Sequence, residues 1–222
     1  LLLTNSMIVS NAVTIDGTLS VGGNTLTAGS IGGTGTLNGN TGSIRVSGGF
    51  APGTFACGTG TVELSGGNAQ TIANSYTFST LFINKTGGSA TFSAITTSST
   101  LTTTAAAYDV AFTNDLTISA ASVTFTNSGS LTLGDSAFDN LVFEAGVTAT
   151  APSSINSRGT VSTTNQDIIL GDGDTGLTLT GLLTLNAGSG DINLGGTVNG
   201  GSLLRLQTTG TSTLSVIIGG VN

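Results

Sequence analysis

The chain has 222 residues, of which 4 are Lys or Arg, 11 are Asp or Glu and none is His, giving a net charge of −7. Only 7% of the residues are charged, against about 25% in an ordinary globular domain, so solubility must rest on hydroxyl and amide groups. The four basic residues, Arg45, Lys85, Arg158 and Arg205, are scattered, which excludes a nucleic-acid surface, since phosphate neutralisation needs clustered cations.

In chain order, the recurring unit is an apolar-x-apolar triplet closed by a turn. The N-terminal part carries Val13-Thr14-Ile15, Leu19-Ser20-Val21 and Ile44-Arg45-Val46, and is interrupted by Ala51-Pro52-Gly53. Then come Val62-Glu63-Leu64, Leu116-Thr117-Ile118, Val123-Thr124-Phe125 and Leu131-Thr132-Leu133. The C-terminal part carries Leu177-Thr178-Leu179, Leu183-Thr184-Leu185, Ile192-Asn193-Leu194 and Leu204-Arg205-Leu206. Alternation with period two predicts strands with one face buried and one wet. The middle residue is usually Thr, polar yet β-branched and suited to an outer sheet face. Gly, Asn, Asp and Ser between the triplets supply the turns. Apolar residues at 37% of the chain, with a mean hydropathy of +0.35, provide enough core to argue against disorder.

Leu116, Val123 and Leu131 begin successive triplets, and three such strands with their turns make a coil of roughly 20 residues, within the range of β-helix repeats. A 60-residue shift lays Phe78 on Phe138, Leu81 on Leu141, Ile95 on Ile155 and Thr103-Thr104 on Thr163-Thr164. The expected fold is all-β: a parallel β-helix, or β-solenoid, as one segment over 1–222, with a possible irregular N-terminal part at 1–50. About eleven coils would make a rod of roughly 50 Å. An antiparallel sandwich or jelly-roll filament subunit, passing a strand to its neighbour, is the alternative.

Two stretches carry a resemblance. Gly190-Asp191-Ile192-Asn193-Leu194-Gly195-Gly196-Thr197-Val198, followed by Leu203-Leu204-Arg205-Leu206, resembles the repeats of filamentous-haemagglutinin-like and autotransporter-like bacterial surface proteins. Thr59-Gly60-Thr61-Val62-Glu63-Leu64, Gln70-Thr71-Ile72 and Phe78-Ser79-Thr80-Leu81-Phe82-Ile83-Asn84-Lys85-Thr86 look like repeats of other secreted low-charge surface proteins. The resemblance implies a right-handed parallel β-helix, export, and a role in adhesion or extracellular matrix. It carries no functional residues to transfer.

The chemistry-bearing residues are few. Without His the commonest general base, the usual Ser and Cys triads and most zinc sites are missing. Cys57 has no partner base and reads as a small buried hydrophobe. Lys85-Thr86 follows Asn84 rather than Gly, and Gly32-Gly33-Thr34-Gly35 opens no helix, so neither forms a phosphate loop. Glu63, Glu144 and the Asp residues are too sparse to nominate a glycosidase pair. Asp172 and Asp174, with Asp167 before and Asp191 one coil later, form the densest acidic group; calcium is weighed there against an ordinary Asp-Gly turn, and the turn is preferred. Thr-x-Thr steps at Thr25/Thr27, Thr34/Thr36, Thr59/Thr61, Thr124/Thr126, Thr148/Thr150, Thr178/Thr180 and Thr211/Thr213 are spaced irregularly, so several should fall on different faces. Asn84-Lys85-Thr86 is the single N-glycosylation sequon.

These readings predict no catalytic, cofactor-binding or metal-binding residue, and no membrane span. The expected function is an extracellular structural or adhesive repeat module of a microbial surface protein or fibre, acting as a stalk or self-assembling filament. A binding module, whether an adhesin or an ice-binding face of stacked Thr, is the alternative; a secreted polysaccharide-active enzyme stands third. Expected partners are further copies, end to end, and cell-surface or matrix components. The apolar runs Leu1-Leu2-Leu3 and Leu214-Ser215-Val216-Ile217-Ile218 carry no charge to blunt a sheet edge. The absence of an initiator Met suggests a processed product or excised segment.

Overall fold

Successive side chains in a strand point to opposite faces, so Val62-Glu63-Leu64 buries its outer members, at 2% and 0% exposure, and turns Glu63 outward. A strand this short cannot close a core alone. In the computed structural model, which describes residues 1–94 and 96–214, each strand pairs in parallel with the one a coil away, building a β-solenoid of about 10 turns. No antiparallel pairing occurs among the described strands, so the sandwich alternative is set aside.

Each coil has three faces. The first runs from Met7–Thr14 through Thr25–Gly32, Ser43–Val46 and Thr61–Gly66 to positions 80–83 and 100–103. There Thr103 accepts the N–H of Thr126 at 2.8 Å. The face continues through Val123–Phe125, Val147–Ala149, Ile168–Leu170, Ile192–Leu194 and Ser212–Leu214. The second passes through Gln70–Ile72, Ser89–Phe92, Asp109–Phe112 and Ser130–Leu133 to 154–157, 177–179 and Val198–Asn199. The third opens with Thr18–Ser20, Thr36–Asn38 and Thr54–Ala56. It resumes at 76–78, 96–98, Leu116–Ile118, Asn140–Phe143, 160–162, 183–186 and Leu204–Thr208.

One apolar cluster runs inside the rod from Leu3 to Val198. Leu131, Leu133, Leu141, Phe143, Leu183 and Leu185 all lie in it at 0% exposure, as their alternation predicts. Phe92 stacks on Phe112 with centroids 4.9 Å apart, and Phe125 bridges the edges of Phe112 and Phe143. The Ala51-Pro52-Gly53 interruption is backed by Phe50, Phe55, Tyr76 and Phe78; the Tyr76 hydroxyl donates to the Pro52 carbonyl at 2.7 Å.

The coil length varies along the rod. Thr18 pairs with Thr36 and Thr25 with Ser43, each a step of 18. Ser89 pairs with Asp109, a step of 20, and Leu116 pairs with Leu141, a step of 25. About 10 turns, rather than eleven, give a stack of roughly 48 Å. The longer step also overturns the 60-residue alignment. Phe78 is followed on its face by Ser98, Ile118 and Phe143, whereas Phe138 is 93% exposed in a loop. Leu81 and Leu141 stand on different faces. The extra residues at 134–139 bulge out of the coil and shift everything beyond them. Gly159 makes room for that loop: its φ is +92°, and a Cβ there would fall 2.5 Å from the Asp139 carbonyl oxygen.

Candidate functional site

The strongest polar arrangement inside the rod surrounds Lys85, which is 1% exposed. It ends Tyr76–Lys85, where Leu81 and Ile83 point inward and Lys85 falls on the same parity. Its Nζ donates to Gln70 Oε1 at 2.6 Å, the Asn68 carbonyl at 2.8 Å and the Ser65 carbonyl at 3.4 Å. Gln70, itself 2% exposed, turns its Nε2 to the carbonyls of Val46 and Gly48. The three ammonium donors thus meet three oxygens, and no carboxylate pairs with Lys85 among the described residues. Burial lowers the pKa of the amine from its ordinary 10.5. Sequence reading treats Lys85 only as one of four scattered basic residues; the strand alternation is the signal that places it inside.

The acidic residues close turns. Asp109 accepts the N–H of Ser130, Asp115 that of Asn140, Asp167 that of Asp191, and Asp191 that of Thr211, each at 2.6–2.8 Å and one coil on. Asp172 accepts the N–H groups of Thr175 at 3.0 Å and Asp174 at 3.3 Å. A side-chain hydrogen bond with Asp174 is the main cause holding the Asp172 carboxyl below its ordinary 3.8, and these N–H groups add to it. Asp167 and Asp191 stack at a different corner, before the first face, so the four acids are not brought together. Among the described residues no three or more His, Cys, Asp or Glu side chains converge as metal ligands would.

The other predicted positions also separate. Glu63 meets Arg45 at 3.3 Å and accepts from the Asn84 amide at 2.7 Å, while Glu144 lies exposed several coils away. The amide nitrogen of the sequon's Asn84 is thereby engaged by Glu63. Cys57 is half-buried at a corner rather than in the core; a turn position at the end of the third face leaves it partly open.

The Thr-x-Thr steps do scatter: Thr25/Thr27 lie on the first face, Thr124/Thr126 and Thr148/Thr150 start there and end just past its strands, and Thr178 lies on the second face with Thr180 at the corner beyond it. On the first face one outward rank is broken by Arg45, Glu63 and Phe82. The longest unbroken outward Ser/Thr rank lies on the first face, through Thr25, Ser43, Thr61, Thr80 and Thr100; a second-face rank through Thr71, Thr91, Thr132, Asn156, Thr178 and Asn199 is interrupted by Ala111. Single residues from successive coils build both ranks, so a local Thr-x-Thr search misses them.

Exposed large apolar side chains gather mainly at the N-terminal pole: Leu1 at 82%, Leu2 at 60%, Met7 at 41% and Ile8 at 79%. Beside them a cavity of about 230 Å³ opens among Leu1, Met7, Val13, Ile15 and Leu19. Of the C-terminal apolar run only Leu214, 44% exposed, lies within the described residues. No helix among them is long and apolar enough to cross a membrane.

No protein-family model matches this chain, and no curated protein or solved structure matches it either.

Proposed function

We propose that this chain is a structural rod of an extracellular microbial surface protein or fibre, serving as a stalk and lengthening by end-to-end contact. The observation that carries this reading is the parallel coil-on-coil pairing around one apolar core. Such a stack resists bending because successive coils are joined by parallel ladders on one or more faces. Its outer ranks of Thr, Ser and Asn hold water without charge, as suits a passive spacer. The resemblance of 190–206 to surface-protein repeats supports the extracellular, adhesive setting.

The N-terminal edge supports end-to-end contact. Among the described residues Met7–Thr14 pairs only with Thr25–Gly32, and Leu1, Leu2 and Ile8 lie exposed near its other edge, with neither Lys nor Pro among them. Ladder bonds and apolar contact are not screened by ions. A heterologous contact that does not close into a ring propagates as a fibre. Light scattering and electron microscopy at about 50 and 500 mM salt should show oligomers or filaments equally at both, and Ile8→Lys should suppress them. A monodisperse monomer at both salt concentrations would refute self-assembly.

A further inference from the structure

The corner between the second and third faces is formed in four successive coils by 134–139, 158–159, 180–182 and 200–203. Away from the poles, the exposed large apolar side chains among the described residues are Phe138 at 93%, Leu182 at 42% and Leu203 at 62%, and all stand on this corner. Two earlier coils put Ala73-Asn74-Ser75 and Thr113-Asn114-Asp115 there instead, small or polar residues.

Charged groups accompany these side chains. Arg158 lies along the rod over Gly181, the position where a Cβ would collide with its Nε and Cδ. Its Nε is buried and has no acceptor among the described residues, an unfavourable state for a charged donor. Exposed Asp135 sits in the first of the four segments, and exposed Arg205 follows Leu203 in the last. None of the three forms an ion pair among the described residues.

We propose that this corner pairs two rods side by side, antiparallel and related by a two-fold axis, the occupant being a second copy of this chain. An axis between the coils of Arg158 and Leu182 exchanges the first segment with the fourth and the second with the third. Phe138 then comes to the height of the partner's Leu203, Asp135 to that of the partner's Arg205, and Arg158 to that of the partner's segment 180–182. A parallel pair would set Arg158 against the partner's Arg158 and Asp135 against the partner's Asp135, so charge selects the antiparallel arrangement. The contact is isologous and closes at two. Its height is three coil steps, about 14 Å, so it is smaller than a standard interface and is a weak one.

Sedimentation velocity from about 10 µM to 1 mM tests this, with a dimer expected in the upper part of that range. Phe138→Asp, at a side chain in solvent, should weaken dimerisation at least about tenfold. Asp135→Arg should weaken it too, and the double variant Asp135→Arg/Arg205→Asp should restore it to within about threefold of the parent. Repeating the series in the Ile8→Lys chain separates this closed pair from growth at the pole, so either contact can fail without the other. A monomer at about 1 mM, a dimer indifferent to Phe138→Asp, or a charge swap that restores nothing would each overturn the proposal.

Discussion

At Lys85 the parity of a strand outweighs the polarity of a side chain. An amine on an inward position must desolvate, and the fold answers with the oxygens of Ser65, Asn68 and Gln70. Its pKa in the folded chain lies below the 10.5 of the unfolded one. Between these two values the unfolded state binds more protons, so Lys85 makes stability rise with pH across that window. Tyr76 acts oppositely: burial raises its pKa above 10.0, so its contribution falls as pH climbs beyond that value. The difference between the parent and Lys85→Met isolates the lysine. Lys85→Met should cost about 2–3 kcal/mol at pH 7, by leaving buried acceptors without a donor. The deficit should widen from pH 7 to 10 in chemical denaturation; one that narrows would show that the buried amine does not titrate as argued.

Within a strand, alternation is a strong constraint because a slip of one residue turns the whole apolar set outward. Ser130–Leu133 shows it: Leu131 and Leu133 are fully buried between Val110 and Phe112 on one side and Ile155 and Ser157 on the other. Leu133→Asp puts an unpaired carboxylate into that stack and should cost several kcal/mol. A melting temperature equal to the parent's would show that this face is not the inner one. Turns obey a looser rule. Their residue types are readable as Gly, Asn and Asp, but their lengths are not, and the insertion at 134–139 is what carries Phe138 out of the core register.

Across the whole molecule the rod behaves as a stack whose coils contact chiefly their neighbours. Gln70 pairs with Ala90, Tyr76 with Thr96 and Thr80 with Thr100, every one a step of 20. Deleting 70–89 therefore removes one complete coil, together with both Lys85 and Gln70, and lets the flanking strands rejoin in register. That variant should fold cooperatively with a β-type circular dichroism spectrum, whereas deleting 70–79 should not, because half a coil sets each face against the wrong one. Equal folding of both would contradict a stack of registered coils.

The sequence by itself determined the strands, their inward and outward residues, and the approximate length of a coil, because side-chain direction and turn chemistry are local properties written every few positions. The core residues from Leu131 to Leu185 were legible for that reason. The tertiary structure alone decided which strands lie above one another, because stacking depends on the length of each circuit, which varies along the chain between the Thr18–Thr36 step and the longer Leu116–Leu141 step. For the same reason the second-face rank, the oxygens that receive Lys85, and the corner that joins Phe138, Arg158, Leu182 and Leu203 are properties of the closed coils. Their members come from separate circuits of the chain and become neighbours only when each circuit returns to the rung beside it.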